Sequence, residues 1–363
     1  MKMKAFDEVF VDKTKYGTKV KTDEYRGKGR NIIIDQGQKL VAGYTDLEDG
    51  IFDDVPAIIF GDHTRIIKYV ERPFFLGADG IKVLKSKIDN ANYKYLYYAL
   101  KSAKIPNTGY NRHFKWLREV NIRYPSVEEQ KKIVSILDKV SCIIENRKVE
   151  LEKLDDLIKA RFVEMFGDPV LNPFGWEQTT LKDIAVGKLS YGSGASATVY
   201  DGECRYVRIT DITDSGELND DIKSPGKYDE KYLLHDGDIL FARSGATVGK
   251  TFRYSEKKHK KSIYAGYLIR LIPDKEKVLA DYVFYYTKTE YYSTFVKKAQ
   301  KAVAQPNINA QEYGNLIICL PPIHLQEEFV TFVQQVNKYK SVVQKSLDET
   351  QTLFDALMQQ YFG

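Results

Sequence analysis

The longest regular pattern of apolar residues lies between Val127 and Met165, a stretch that contains neither proline nor glycine. Apolar side chains recur in it every three or four positions, which predicts one helix with an apolar face. Pro125 and Ser126 supply a start signal and Gly167 a stop, so the helix is expected to be about 58 Å long. The face consists of Ile133, Ile136, Leu137, Val140, Ile143, Ile144, Leu151, Leu154, Leu157, Ile158, Phe162 and Met165.

This helical segment occurs twice in the chain. Residues 122–167 align without a gap on residues 318–363, and ten of the 46 aligned positions are identical. A weaker echo precedes each copy, because five positions of residues 6–17 match residues 181–192. The repeat predicts the order variable region, long helix, variable region, long helix. The two apolar faces are expected to pack together as an antiparallel pair; the alternative is that each helix packs only on its own domain.

The variable regions contain short runs of β-branched and aromatic residues bounded by Gly, Asp and Asn, which is typical of strands. These runs are residues 31–34, 57–60, 81–84, 206–209, 238–243 and 267–272. Aromatic helical patches at 93–98 and 282–286 are interpreted as packing surfaces. The predicted fold class is α+β, with two α/β domains in a pseudo-twofold arrangement separated by a long antiparallel two-helix coiled coil. The predicted boundaries are domain 1–121, helix 122–167, linker 168–179, domain 180–317 and helix 318–363.

The amino-acid composition narrows the kind of protein but does not identify its function. With 363 residues, 43% of them hydrophobic, the chain is long enough for two or three globular domains. It has no run of about 20 apolar residues and no signal peptide, so a cytoplasmic protein without membrane association is expected. Three widely spaced cysteines indicate neither disulfides nor a zinc site. The formal net charge of +5 is compatible with nucleic-acid binding but does not establish it.

The segment DGDILFARSGATVGKT at residues 236–251 contains the first candidate site. A phosphate loop would need glycine where Ser244 stands and a helix after Thr251, whereas a strand-like run follows. A glycine-containing loop that carries cations suits close approach to DNA instead, because cations neutralise phosphate and arginine can pair bidentately with guanine. The candidates are Arg243, Ser244, Thr247 and Lys250. The alternative is a solvated hairpin tip.

Further candidates lie near a predicted turn in the first half and in the polar loops that precede each long helix. The turn carries His63, Thr64, Arg65 and Lys68; the loop at 107–115 carries Asn111, Arg112, His113 and Lys115; the loop at 305–311 carries Asn307. Asn111 and Asn307 are equivalent at the repeat offset of 196. Asparagine can read adenine bidentately, but Asn307 could equally cap the helical turn that follows. The lysine-rich run at 257–261 is a further possible phosphate contact.

No catalytic constellation is found in the sequence. Asn172, Pro173 and Phe174 lack the second proline of the NPP[FY] set that holds a flipped base in methyltransferases of the amino group. A glycine-rich turn for S-adenosylmethionine, a nuclease-like spacing of acidic residues, HExxH and GxSxG are also missing. A non-catalytic protein is therefore predicted.

The whole chain resembles the specificity (S) subunit of type I restriction-modification systems. The resemblance rests on residues 236–251, on QPNINAQEYGNLIICLPPIHLQEEFV at 305–330, on its sister REVNIRYPSVEEQKKIV at 118–134, and on FGDP at 166–169. It implies two target recognition domains, at 1–121 and 180–317, that each read one half of a split DNA sequence. It also implies that the helices space the domains and seat two modification (methyltransferase) subunits. The first half departs from the pattern in lacking the SGATVGK form.

The resemblance places the chemistry on partner proteins. Restriction subunits, which act as translocase and nuclease, would join for cleavage, and the partners would bind S-adenosylmethionine, ATP and Mg, with no cofactor on this chain. The alternative function is a sequence-specific DNA-binding or regulatory protein without methyltransferase partners. Such a protein would share the basic loops but would not need helix faces large enough to seat partner subunits.

Overall fold

The computed structural model describes residues 2–77, 79–301 and 306–363, with the side chain of Lys301 excepted. It divides into two compact units. Unit 1 comprises Met1–Lys148 with Gln344–Gly363, and unit 2 comprises Val149–Val343. Each unit therefore contains one variable region and one half of each long helix. No helix among the described residues is long and apolar enough to cross a membrane.

Unit 1 is built on small sheets. Its elements are β1 (Met3–Ala5), α1 (Phe6–Val9), β2 (Phe10–Asp12), β3 (Asn31–Ile34), β4 (Gly43–Thr45), β5 (Ala57–Gly61), β6 (Ile67–Val70), β7 (Phe74–Leu76), β8 (Ile81–Ser86), α2 (Tyr93–Lys101), α3 (Phe114–Leu117), β9 (Asn121–Arg123) and the first part of α4 (Val127–Phe166). A four-stranded antiparallel sheet has the order β2-β8-β5-β6, and a three-stranded sheet has the order β4-β3-β7 with β3 and β7 parallel. The strands β1 and β9 pair separately, just before α4.

Unit 2 repeats this plan. Its elements after α4 are β10 (Glu177–Thr180), β11 (Ser190–Tyr191), β12 (Ala197–Val199), β13 (Arg205–Val207), β14 (Lys223–Pro225), β15 (Ile239–Ala242), β16 (Thr251–Arg253), β17 (Ser262–Tyr264), β18 (Leu268–Leu271), α5 (Ala280–Tyr286), α6 (Glu290–Lys301), α7 (Ala310–Gly314), β19 (Ile317–Leu320) and α8 (Ile323–Phe362). Its four-stranded sheet has the order β11-β18-β15-β16, β13 and β17 are parallel, and β10 pairs with β19 just before α8.

The weak sequence echo between the variable regions corresponds to a repeated fold. Each unit has a four-stranded sheet, a parallel strand pair and an antiparallel pair that leads into a long helix. The echo positions Phe6 and Val9 are buried in unit 1, and their counterparts Leu181 and Ile184 are buried in unit 2. The repeat therefore conserves the core positions that hold this plan together, although few residues are identical.

The long helices α4 and α8 pack together in both units. In unit 1, Leu137 of α4 shares a core with Phe354 and Met358 of α8. In unit 2, Phe162 of α4 shares a core with Phe329 of α8. Each unit thus joins one end of α4 to the opposite end of α8, as an antiparallel pair requires. The alternative in which each helix packs only on its own domain is wrong.

The aromatic patches are packing surfaces, as predicted. Tyr95 and Tyr98 of α2 are buried in the core of unit 1, and Tyr282 and Tyr286 of α5 are buried in the core of unit 2. The ring of Phe162 stacks on Tyr282 at a centroid distance of 5.4 Å. Both patches therefore attach a long helix to a sheet-rich domain.

Part of each predicted apolar helix face is not in the core. Ile136 and Ile143 stand seven residues apart and each directly precedes a buried residue, so they form a row along the edge of the packed face. Each has a counterpart at the repeat offset of 196. The exposed residues of this row, here called the outer stripe, are Ile136, Ile143 and Leu353 in unit 1, and Leu157 and Tyr339 in unit 2. Phe332, the counterpart of Ile136, is half-buried and packs against the core of unit 2.

A buried glutamine marks the start of each long helix. Gln326 Nε2 donates to Pro321 O at 2.8 Å, and its repeat counterpart Gln130 makes the same bond to Pro125 O at 3.0 Å. In unit 2 the amide also accepts a hydrogen bond from the backbone N–H of Leu279 at 2.9 Å. Gln326 therefore ties the loop before α5 to the start of α8.

Replacing Gln326 with leucine should lower the free energy of unfolding of unit 2 by about 1–3 kcal/mol, because it leaves the partly buried N–H of Leu279 and the buried carbonyl of Pro321 without partners. Urea titration followed by fluorescence measures the change. The matched control is Gln335→Leu, an exposed position on the same helix, which should change stability by less than about 0.5 kcal/mol. Equal effects of the two variants would contradict the assigned role of Gln326.

Candidate nucleic-acid interface

In unit 2 the candidate loop joins β15 to β16, at the edge of the four-stranded sheet. Gly245 and Gly249 adopt φ values of 67° and 87°, a region that favours glycine. Thr247 Oγ1 donates to Ser244 O at 3.1 Å and closes the short turn between them. Strand β16 begins at Thr251, so no helix follows the loop, which confirms that it is not a phosphate loop.

The polar loop before α7 packs directly on this hairpin loop. Ile308 N donates to Arg243 O at 2.8 Å, Gly245 N donates to Pro306 O at 3.1 Å, and Ser244 and Asn307 form a β-bridge. Both loops were predicted from the sequence as candidate DNA-contacting segments, and in the structure they lie in direct contact. Gln305, the first residue of the predicted polar loop, lies outside the described residues.

Arg243 is held on two sides. Its Nε donates to Asn307 Oδ1 at 3.2 Å, and its guanidinium carbon lies 4.8 Å from the centroid of the Tyr191 ring. The Tyr191 hydroxyl accepts a hydrogen bond from Ala310 N at 3.0 Å. Tyr267, whose side chain is exposed, adjoins this group through its carbonyl, which accepts from Arg243 N. The guanidinium is therefore fixed by an amide and an aromatic ring.

Asn307 does not cap the following helix. The N-cap of α7 is Asn309, whose Oδ1 accepts hydrogen bonds from the backbone of Gln311 and Glu312, both at 2.9 Å. The capping alternative for Asn307 is thus wrong. Its side chain holds Arg243 instead.

Lys250 is less accessible than the sequence predicted. Its Nζ forms an ion pair with Asp214 at 2.9 Å and donates to Ile212 O at 3.2 Å. The hydrogen bond from Lys250 lowers the pKa of the exposed Asp214 carboxyl. Lys250 therefore attaches the hairpin loop to a neighbouring turn, and any contact with phosphate would compete with Asp214.

In unit 1 the corresponding place is the turn between β5 and β6. Thr64 Oγ1 donates to Gln36 O at 2.7 Å, and Arg65, with a φ of 63°, reaches Ile105 O through Nη1 at 3.3 Å. The His63 ring stacks on Tyr110 with centroids 4.6 Å apart and planes 8° apart. Here too the hairpin turn meets the polar loop that precedes the long helix.

Two predicted contacts of unit 1 are corrected because their side chains are buried. Lys68 is 5% exposed, and its Nζ donates to the carbonyls of Asp35 and Lys39 at 2.7 and 2.6 Å. Burial lowers its pKa, in spite of the Asp35 carboxylate. His113 is fully buried and its Nδ1 lies 2.9 Å from Asp62 O. Both are structural residues, since neither presents a charge to solvent.

Backbone bonds establish which residues of the two units correspond. His113 N donates to Asp62 O at 2.7 Å, just as Ile308 N donates to Arg243 O. His113 thus occupies the core position of Ile308, and Asp62 occupies the position of Arg243. The Asp62 carboxylate turns inward and accepts from Phe114 N at 2.7 Å. The two units therefore share this backbone hydrogen bond, but the position holds an acidic residue, Asp62, in unit 1 and a basic residue, Arg243, in unit 2.

Of the remaining candidates of unit 1, Thr64, Asn111, Arg112 and Lys115 are exposed, whereas His63 and Arg65 are half-buried. Asn111 corresponds to Asn307 at the repeat offset of 196, and the helices α3 and α7 that follow the two loops begin 196 residues apart. The backbone bond to the hairpin departs from this offset by one residue, since it pairs His113 with Ile308. The Asn111 side chain donates to Thr108 O within its own loop. Lys115 lies over the Trp116 ring at 4.1 Å. His63, Thr64, Arg65, Asn111, Arg112 and Lys115 remain candidates in unit 1, whereas Lys68 and His113 do not.

The family assignment follows from comparison with known proteins. A family model described as the type I restriction modification DNA specificity domain matches residues 1–154 and 173–349. The chain belongs to this family. Two copies of the domain account for the two units with their repeated sheets and long helices.

Curated relatives of the family are remote in sequence. The StySPI specificity subunit of Salmonella potsdam is 24% identical over 257 residues, which are 66% of this chain and 55% of that protein. The MjaIX specificity subunit of Methanocaldococcus jannaschii is 24% identical over 306 residues, which are 74% of this chain and 68% of that protein. The match thus spans about half to two thirds of these relatives' own lengths.

Solved structures share the fold. The S subunit of a type I restriction-modification system from M. genitalium has a TM-score of 0.59 at 16% identity, over 100% of this chain and 96% of that one. A chain from work on complex assembly and conformational transition of the type I R-M system has a TM-score of 0.54 at 16% identity, over 99% of this chain and 97% of that one. At such identities the likeness concerns the fold alone.

Within this family assignment, the sequence predictions missed Tyr191 and Asp62. Tyr191 belongs to the segment 181–192 that echoes residues 6–17, where it matches Tyr16, but nothing in the sequence placed it beside Arg243. The next residue, Gly192, lets the backbone pass close to residues 264 and 265, because a Cβ there would lie 2.3 Å from Tyr264 O. Asp62 gave no signal, since its role depends on the polar loop that packs on it. No group of three or more His, Cys, Asp or Glu able to hold a metal ion occurs among the described residues.

Proposed function

We propose that this chain is the DNA sequence-specificity subunit of a type I restriction-modification complex. Each recognition domain, at residues 1–121 and 180–317, reads one half of a bipartite double-stranded DNA target. The helices at 122–167 and 318–363 set the spacing of the half-sites and dock methyltransferase subunits. The observation that carries this proposal is that both units have the same contact between a hairpin turn and the polar loop before the following helix, here called the loop junction. The two loop junctions share their backbone arrangement but carry different side chains.

The loop junctions suit DNA reading in both units. Each presents side chains from two loops that a sheet edge and a helix hold in place, and such rigid support is what base reading requires. In unit 2 the junction carries Arg243, Ser244, Thr247 and Asn307. In unit 1 it carries His63, Thr64, Arg65, Asn111, Arg112 and Lys115. Two different sets on one frame would read two different half-sites, as in a protein dimer with unlike halves.

The outer stripe supports the docking part of the proposal. Large exposed apolar side chains in a regular row mark an interaction surface more often than a solvated one. Because the stripe occurs in both copies of the repeat, it offers two equivalent surfaces, which fits two methyltransferase subunits. A free-standing DNA-binding protein would not need it. The partners, joined by restriction subunits, would bind S-adenosylmethionine, ATP and Mg and carry out the chemistry.

Shortening both helices by one heptad should shorten the spacer between the half-sites. Deletion of residues 146–152 together with 342–348 removes about 10 Å of each helix, equivalent to at most about three base pairs at roughly 3.4 Å each. The two half-site sequences should stay the same, because neither loop junction changes. Sequencing of methylated positions in host DNA measures the spacer.

The control for this deletion keeps the helix length. Alanine at Lys148 and Lys345, which are exposed on the same helical segments, should leave the spacer unchanged. A deletion variant that methylates the original spacing would overturn the proposal that the helices set the spacing.

A further inference from the structure

We propose that Arg243 reads a guanine in the half-site recognised by unit 2, with Tyr191 and Asn307 as positioning residues. This inference rests on the proposed function and adds the base that the junction of unit 2 selects. It concerns one position of the target, whereas the remaining contacts of the same half-site are left to other side chains.

The guanidinium of Arg243 is arranged before any DNA arrives. Nε is occupied by Asn307 Oδ1, and the Tyr191 ring covers one face of the group. Within the part of the chain that the structure describes, no ion pair or hydrogen bond engages Nη1 or Nη2. The two outer nitrogens are therefore available as a pair. Fixing a long side chain in advance reduces the entropy lost on binding.

The two positioning residues are themselves anchored to the backbone. Tyr191 lies in β11 opposite Ile269, and its hydroxyl accepts a hydrogen bond from Ala310 N. Asn307 is held by its bridge to Ser244. Because the ring and the amide belong to separate segments, the direction of Arg243 depends on the packing of the two loops. A loop residue without such support would turn freely among phosphates and bases.

The chemistry of this group favours guanine over the other bases. Arginine carries only donors, and guanine presents two acceptors, N7 and O6, at its major-groove edge. Adenine presents one acceptor beside a donor, so it cannot match the pair of outer nitrogens. Asn307 Oδ1 accepts from Arg243 Nε, so this amide orients the guanidinium. A phosphate could also accept hydrogen bonds from both nitrogens, but it would confer no base preference. The base preference therefore distinguishes a guanine contact from a phosphate contact.

Unit 1 provides a contrast within the same chain. Asp62 stands at the place of Arg243, is 4% exposed and caps α3 through Phe114 N. Its carboxylate is therefore turned into the protein rather than toward solvent. A change at Arg243 should therefore alter one half-site only, and the other half-site serves as an internal control for folding and assembly.

The first experiment compares methylated motifs in hosts that carry the methyltransferase with the wild-type chain, Arg243→Ala or Arg243→Lys. The wild-type motif should contain a guanine in one half-site that the alanine variant no longer requires, with its preference over other bases reduced about tenfold to hundredfold. Lysine should retain affinity but weaken the preference, because it lacks the planar fork. An identical motif for wild type and Arg243→Ala, or a change at a base pair without guanine, would overturn the inference.

The second experiment remains decisive if Arg243→Ala abolishes methylation. Purified wild-type complex is titrated with its target in which 7-deazaguanine replaces each guanine in turn, which removes the N7 acceptor. At one position binding should weaken about tenfold, and in the Arg243→Ala complex the same replacement should have no further effect. Equal binding of guanine and 7-deazaguanine at every position by wild type contradicts guanine reading by Arg243.

The positioning residues are tested by the same analogue. Tyr191→Phe keeps the ring and should retain the 7-deazaguanine penalty, whereas Tyr191→Leu and Asn307→Ala should reduce it at an unchanged melting temperature. A full penalty in both of the latter variants would remove their positioning role. Absence of any bipartite motif with the wild-type chain would instead refute the proposed function, so the two failures are distinguishable.

Discussion

Replacing Ile136 and Ile143 with aspartate should abolish association of this chain with its methyltransferase subunit, with affinity falling more than about a hundredfold. Both side chains belong to the outer stripe and are 40% and 45% exposed. In a complex they would be covered, and a carboxylate buried without a partner costs several kcal/mol. Calorimetric titration with the methyltransferase subunit of the same restriction-modification system measures the loss.

The matched control adds the same charge elsewhere on the helix. Ser135 and Asn146 are exposed on α4 outside the outer stripe, and their replacement with aspartate should leave the affinity within about twofold of wild type, as is usual for surface changes. Neither pair should alter the melting temperature greatly. Retained binding in the Ile136 and Ile143 variant would show that the outer stripe is not the docking surface.

Phe162→Ala should lower the free energy of unfolding of unit 2 by about 3–5 kcal/mol, the usual cost of removing a large buried aromatic side chain. The ring is 2% exposed and lies 4.9 Å from the ring of Phe166 and 5.4 Å from that of Phe329. It therefore connects α4, α8 and, through Tyr282, the sheet-rich domain. The loss of this contact should loosen all three.

The measurement uses the tryptophan that reports on unit 2. Trp116 belongs to unit 1 and Trp176 to unit 2, so urea unfolding followed by fluorescence in a Trp116→Phe background isolates the second unit. Val163→Ala, at a neighbouring exposed position, is the control and should cost less than about 0.5 kcal/mol. A cost below about 1 kcal/mol for Phe162→Ala would contradict its central place in the core.

The sequence predicted the elements of the fold well because their signals are local. The helix expected between Val127 and Met165 runs from Val127 to Phe166, since periodicity and stop signals act within a few residues. The strand cores at 57–60 and 238–243 were likewise found from their composition. The predicted width of the helix face was wrong, because spacing alone does not separate the buried row from the outer stripe.

The candidate site was predicted less well because its members are assembled by packing between distant segments. Lys68 comes just after a turn, where an exposed side chain is expected. Its strand instead directs the side chain into the protein, where it donates to the carbonyls of Asp35 and Lys39. His113 belongs to a loop of polar composition but is itself buried in the core. Tyr191 lies 52 residues before Arg243 in the chain, and only the sheet brings them together. Such contacts have no local signal.

As a specificity subunit, this chain would confer recognition of a bipartite DNA sequence on a methyltransferase. Methylome sequencing compares a host that expresses this chain with the methyltransferase subunit of the same system and a host that carries the methyltransferase alone. We expect a methylated motif of two half-sites and a fixed spacer in the first host, and none in the second. The same motif in both hosts, or none in the first host despite confirmed association of the two proteins, would contradict this role.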